Sequence, residues 1–166
     1  PAGLGVWLVN ERCAAKANTM LSRVSIGSYH SLPSLLQHES KFQTPETPNV
    51  LGIYLLGKVI GDMLRTGIQR IRKETEYKAA ILYQELNRHE VLKPLVADAQ
   101  CQSKTVIVAN TGASTKLLTE TLLSRGMQAG AGYGEGKATQ LRFANFPTHA
   151  REHFEQLCDI IKEFEG

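Results

Sequence analysis

Arg142 is the side chain whose neighbours most clearly suit it to hold an anion. It stands in "LRFANF", between Leu141 and Phe143, with Asn145 and Phe146 close behind. A guanidinium drawn partly out of water needs an anionic partner. Local pattern leaves two candidates level: a structural Asp or Glu, or a substrate carboxylate gripped by two parallel N–H···O bonds. Just upstream, "GAGYGEGK" places glycines at 130, 132, 134 and 136 ahead of Lys137. The nucleotide P-loop, G-x-x-x-x-G-K-[ST], cradles phosphate with backbone N–H groups where a helix opens. Here Ala131 stands where the first glycine belongs, Ala138 stands where the hydroxyl belongs, and residues 139–144 alternate polar and apolar like a strand. The run therefore reads as a connection between two strands that delivers Arg142.

Other reactive side chains offer less. His149 and His153 are four apart, a spacing that can bind metal from one helix face, but Glu152 is misplaced for H-E-x-x-H and no third ligand accompanies them. No metal is expected. His30, His38 and His89 join no motif, and Cys13, Cys101 and Cys158 are odd in number and lack C-x-x-C spacing. That usage fits a reducing cytoplasm better than a disulfide framework. Lys58 sits in the apolar "YLLGKVIG", where desolvation could make it a nucleophile. Snorkelling, with the stem buried and the ammonium in water, explains the same residues more cheaply.

The elements that must carry these residues are set by periodicity. Leu4–Val9 is a near-continuous apolar run suited to a strand covered on both faces. Residues 11–21 read as a short helix, and 22–48, with Pro33, Pro45 and Pro48, as a long irregular segment of the kind that serves function. Asn49 can cap a helix with Val50, Ile53, Leu56, Val59, Ile60 and Leu64 at helical spacing, interrupted at Thr66-Gly67. A second helix runs over 68–89. After Lys93-Pro94 the pattern becomes strand, helix, strand, strand, helix: a β-branched strand at 105–109, a helix capped by Ser114 and ended by Gly126, two strands around the glycine run, and a last helix from Thr148. The last helix places Phe154, Leu157, Cys158, Ile161 and Phe164 on one side. The result is an α+β layer joined by a long helical connector to the remnant of something larger.

Composition excludes some functions. With 166 residues, 42% hydrophobic and 21% charged, the chain has globular values. The net charge of +3 comes from 19 basic residues mixed with 16 acidic ones. No basic stripe with interleaved aromatics points to nucleic acid, and no run of about 18 apolar residues points to a membrane span. The chain opens on Pro1 and enters an apolar run at once, which reads as a cut within a longer protein.

Several stretches together resemble the class V aminotransferases of fold type I, and within them the phosphoserine aminotransferases. "PAGLGVWLVN" is similar to the strand that comes after the cofactor-bearing lysine. "QTPETPNVLGIYLLGKVIGDML" resembles the Asn-Thr-Pro loop leading into the long interdomain helix, and "SKTVIVAN", "LLSRGM" and "LRFANFPTHAREHFEQL" resemble the C-terminal small domain. The similarity covers nearly the whole chain in the family's order. It implies a pyridoxal 5'-phosphate enzyme that moves an amino group from an amino acid to a 2-oxo acid. It implies an organisation with 1–48 as the end of the large cofactor-binding domain, 49–90 as helical connector and 91–166 as the small α+β domain. By the same resemblance Gln43 and Thr44 match the loop that reaches the phosphate of the cofactor in the neighbouring subunit of a homodimer. Arg142 matches the arginine that clamps the substrate carboxylate.

Two departures accompany the match. The family's cofactor lysine falls before Pro1, so the chain carries no catalytic residue of its own and is expected to be inactive alone. The His-Arg pair that binds substrate phosphate in many phosphoserine aminotransferases is replaced by Glu135-Gly136-Lys137, leaving Lys137 as the local phosphate contact. The expected activity is phosphoserine:2-oxoglutarate transamination in serine biosynthesis. Open alternatives are another class V enzyme, such as an alanine- or serine-glyoxylate aminotransferase or a desulfurase-like lyase, and a non-catalytic interaction module.

Overall fold

A computed structural model of the chain describes residues 3–165 apart from 22, 26, 28 and 30. The reading at Pro1 and the candidate His30 lie outside the described residues. The chain divides into two compact units, Pro1–Asp62 and Met63–Gly166.

In the first unit, α1 (Glu11–Met20) is capped by Asn10, whose side-chain oxygen accepts from the Cys13 N–H at 2.9 Å. It packs against α2 (Leu32–Glu39), capped by Ser31. The irregular reading of 22–48 missed α2 because Pro33 looks like a breaker, whereas proline is tolerated in a first turn, where its missing N–H costs nothing. Leu4–Val9 does not form a strand; these residues are exposed and pair with no described strand. An apolar run needs a neighbouring strand to become one.

Helix α3 (Val50–Thr66) begins as expected, with Asn49 Oδ1 accepting from the Gly52 N–H at 2.9 Å. No residue of α3 is buried, and Val50, Leu51, Ile53, Tyr54, Leu55, Val59, Ile60 and Leu64 are all exposed. Gly67, at φ 86°, ends it with a backbone conformation that suits glycine, and α4 (Ile68–Arg88) comes next.

The second unit is built on a four-stranded antiparallel sheet in the order β1-β2-β4-β3, with β1 at Lys93–Pro94, β2 at Val106–Asn110, β3 at Gly130–Ala131 and β4 at Gln140–Ala144. Register pairs Val108 with Arg142 and Ala109 with Leu141. Because side chains alternate across a strand, Ile107, Ala109, Leu141 and Phe143 enter the core while Val108, Gln140 and Arg142 face the other way. The core is closed by Ala79, Leu82 and Leu86 of α4, Leu118 and Leu122 of α5 (Thr115–Ser124), and Phe154, Leu157, Ile160 and Ile161 of α6 (Arg151–Glu163). Ser114 makes no side-chain cap, and α6 starts three residues later than Thr148. The α4–α6 pair is tied at its surface by Arg151, which bonds Glu155 at 2.7 Å and lies over the Tyr77 ring, while the Tyr77 hydroxyl donates to Glu155 at 2.7 Å.

Candidate functional site

Arg142 projects from the sheet face opposite the core and is half-buried. Its Nε donates to the Ala131 carbonyl on the edge strand at 2.6 Å. Above the guanidinium lies the ring of Tyr133, whose centroid is 3.9 Å from Cζ. The glycine run makes room for this arrangement. A Cβ on Gly130 would come within 3.2 Å of Arg142 Nη2, and one on Gly132 would strike the Gly136 carbonyl oxygen. The run is thus a close-packed turn that hugs the arginine; Gly134–Ala138 is a short 3-10 turn that leads into β4 and not into an α-helix. Among the described residues no Asp or Glu forms an ion pair with Arg142. The guanidinium is oriented by a carbonyl and a ring face, and its terminal nitrogens remain for an anion.

Lys137 and Glu135 are both exposed on the 3-10 turn and form no ion pair with each other. Gly130 and Arg142 also line a cavity of about 430 Å³ at the sheet edge, between the end of α5 and the start of α6, together with His149, His153 and Arg125. Lys137 does not line it.

Gln43 and Thr44 lie in the first unit, in the turn after α2, and line an open cleft with Phe42, Glu39 and Glu46. The turn is a Schellman closure: the Gln43 N–H donates to the His38 carbonyl at 2.9 Å and the Phe42 N–H to the Glu39 carbonyl at 2.8 Å. The first of these two positions past the helix end normally takes glycine because its φ is positive; here it is Phe42, at φ 54° and 98% exposed. Gln43 is exposed, and the Thr44 hydroxyl donates to the Glu46 carbonyl.

Lys58 is exposed, with its ammonium 5.2 Å from the Tyr54 ring centroid; the buried stem that snorkelling requires is absent here, because no residue of α3 is buried. His149 precedes α6 and its Nδ1 accepts from the Phe146 N–H at 3.3 Å, so the two histidines do not share a helix face. Among the described residues no group of three or more His, Cys, Asp or Glu could hold a metal ion. Cys13 and Cys101 are exposed, whereas burial pushes the Cys158 thiol up to about 12.

The family model of class-V aminotransferases matches residues 1–148. The chain belongs to that family.

Among solved structures, the phosphoserine aminotransferase of Cytophaga hutchinsonii is 46% identical over 100% of this chain, with a TM-score of 0.89. The chain spans 46% of that enzyme's length. A phosphoserine aminotransferase of Bacillus circulans subsp. alkalophilus is 18% identical over 80% of this chain and 36% of its own, TM-score 0.67. An alanine–glyoxylate aminotransferase of Nostoc sp. is 18% identical over 93% of this chain and 41% of its own, TM-score 0.66. These two share the fold. No curated protein matches the chain.

Class V aminotransferases use pyridoxal 5'-phosphate. Among the described residues the exposed Gln43 carboxamide makes no hydrogen bond, so its N–H groups are of the kind that could meet a phosphate. The carboxylates of Glu39 and Glu46 line the same cleft and would repel a phosphate seated inside it.

Sequence reasoning did not find Lys78, on the side of α4 read as charged surface. It is 2% exposed; its ammonium donates to the carbonyls of Phe146 at 3.0 Å and His149 at 2.7 Å and lies 5.3 Å from the Phe154 ring centroid. Burial pushes its pKa below the ordinary lysine value, partly opposed by Glu74. Nothing in the local sequence marks it, because both acceptors lie about seventy residues away.

Proposed function

We propose that the whole protein transfers the amino group of phosphoserine to 2-oxoglutarate in serine biosynthesis, in the cytoplasm, as a homodimer with shared active sites. In this reading the chain supplies the C-terminal portion: 1–48 as the end of the large domain, 49–90 as connector and 91–166 as the small domain. The observation that carries it is the Arg142 guanidinium, fixed by Ala131 and Tyr133 with no acidic partner among the described residues. A pre-oriented arginine of this kind suits a carboxylate held by two bonds, and pre-orientation lowers the entropy lost on binding.

Pyridoxal phosphate, when bound, supplies the electron sink for charge that develops at the substrate Cα. Arg142 orients the α-carboxylate, so that the Cα–H bond is presented in one direction. Gln43 donates to the cofactor phosphate of the neighbouring subunit, and Thr44 does so once its hydroxyl turns away from the Glu46 carbonyl; this reading rests on the family resemblance. Lys137 offers a point charge to the substrate phosphate, and the lysine that bonds the cofactor lies upstream of Pro1. The run of exposed apolar side chains along α3 supports burial against further protein. The name of the C. hutchinsonii enzyme, phosphoserine aminotransferase, supports the choice of donor.

Glu135 beside Lys137 favours one second reading, a class V enzyme acting on a donor without phosphate. The experiment is steady-state kinetics of the full-length, cofactor-loaded protein with phosphoserine, serine and alanine, in wild type and Lys137→Ala. We expect phosphoserine to be preferred by at least tenfold and Lys137→Ala to erase most of that preference. Equal use of serine or alanine, with Lys137→Ala unchanged on phosphoserine, overturns the phosphoserine reading.

A further inference from the structure

We infer that Lys78 is a positioning residue for the carboxylate site, acting on Arg142 through the turn that ends β4. The inference rests on the reading of Arg142 as the carboxylate clamp. Strand β3 pairs with β4 only at Arg142 and Leu141, so on that side β4 loses its neighbour immediately after the arginine. From Phe143 onward the strand is held by β2 and by residues 145–149, which leave the sheet and are anchored to α4 and to the residues just before β2. The buried Asn145 donates from its side-chain amide to the Thr75 carbonyl at 2.9 Å and the Lys104 carbonyl at 2.8 Å, and its backbone N–H bonds the Thr105 carbonyl at 2.8 Å. One turn along α4, Lys78 reaches the carbonyls of Phe146 and His149. Thr75 and Lys78 are three apart and share a helix face. Together they pin the whole exit of β4 to α4.

Stability alone does not call for a lysine at this position. A buried ammonium without a carboxylate partner loses its hydration and regains only part of it from two carbonyls and a ring face. A methionine of similar length would fill the space without that penalty. The lysine does one thing a methionine cannot: it fixes two backbone carbonyls at set points, within seven residues of Arg142. A strand end that slides or frays there shifts the guanidinium relative to its carbonyl and ring supports, and a bidentate grip tolerates little misplacement.

The test uses the full-length, cofactor-loaded enzyme and reads binding of a non-reacting dicarboxylate, maleate, by calorimetry, together with thermal unfolding. Lys78→Met is expected to weaken maleate binding about tenfold without lowering the unfolding midpoint. Lys78→Arg, which keeps donors for both carbonyls, should restore binding to within about threefold. In the Arg142→Lys background, Lys78→Met should add nothing further, because the two act on one grip. Maleate affinity unchanged in Lys78→Met, or lowered equally in both backgrounds, overturns the inference. Should Lys78→Met fail to fold, Lys78→Leu, which likewise has no donor, replaces it, and wild-type affinity in that variant overturns the inference equally. If Arg142→Lys itself leaves maleate binding intact, the reading of Arg142 fails instead, a result distinct from any of these.

Discussion

The ring of Tyr133 covers the guanidinium of Arg142 at 3.9 Å from centroid to Cζ, while the Ala131 carbonyl holds Nε from the side. The arginine is therefore constrained in plane and in direction before any anion arrives. Arg142→Lys keeps the charge and discards the fork, and should lower kcat/KM at least 100-fold. Tyr133→Leu removes a contact worth about 0.5–1 kcal/mol at an exposed site and should raise KM for the carboxylate substrate about threefold, with kcat little changed. Steady-state kinetics of the full-length enzyme separates the two.

Gly130→Ala tests the same geometry from the other side. The added Cβ lies 3.2 Å from Arg142 Nη2, so the guanidinium must give way by a few tenths of an ångström. We expect KM to rise about three- to tenfold while the unfolding midpoint stays within about 2 °C, since the backbone φ at this position is open to any residue. An unchanged KM would show that the arginine is looser than its contacts indicate.

Phe42→Gly should stabilise the folded chain. The non-glycine residue at φ 54° costs about 1 kcal/mol, and its side chain is 98% exposed, so nothing is lost inside the unit. An increase of about 2–4 °C in the unfolding midpoint, read by calorimetry, is the expected result.

Thiol reactivity should sort the cysteines. At pH 8 a maleimide should label the exposed Cys13 and Cys101 quickly and Cys158, pushed up to about 12 chiefly by burial, at least 100-fold more slowly. The raised value also fixes a pH dependence. The folded state holds the Cys158 proton where the unfolded chain releases it, so this contribution is complete below the ordinary value of 9.0 and is lost as pH rises toward 12. Cys158→Ala should flatten that decline in unfolding free energy.

Lys78 acts with the opposite sign. Its folded pKa is lowered from 10.5, so across the window between the folded value and 10.5 the unfolded chain binds more protons, and stability rises with pH. Lys78→Met should remove that rise, measured by denaturant unfolding between pH 8 and 10.5.

Where local pattern and tertiary packing agree, the sequence is readable. The β-branched run of β2, the apolar face of α6 and the glycine that closes α5 all serve the core they suggest. Arg142 was legible for a related reason: a charge flanked by Leu141 and Phe143 must sit on the outward face of a half-buried strand. Tyr133 was not, because a stacking partner nine residues away on a turn obeys no period. The run at Leu4–Val9 misled because apolarity shows a need for cover without showing where the cover lies. Lys78 was hidden by its own type, since lysines on a helix are surface residues by default. Gln43 and Thr44 came from the resemblance alone; their turn, with an aromatic residue in a glycine position, had no local signature.

The brevity of β3 has a practical consequence for handling this chain at high concentration. Beyond Gly130 the main-chain groups of Ala144 have no β3 partner, and its side chain carries no charge to discourage a passing strand. Such an open rim is a seed for intermolecular ribbon growth at high concentration, and Ala144→Lys is the simplest way to blunt it.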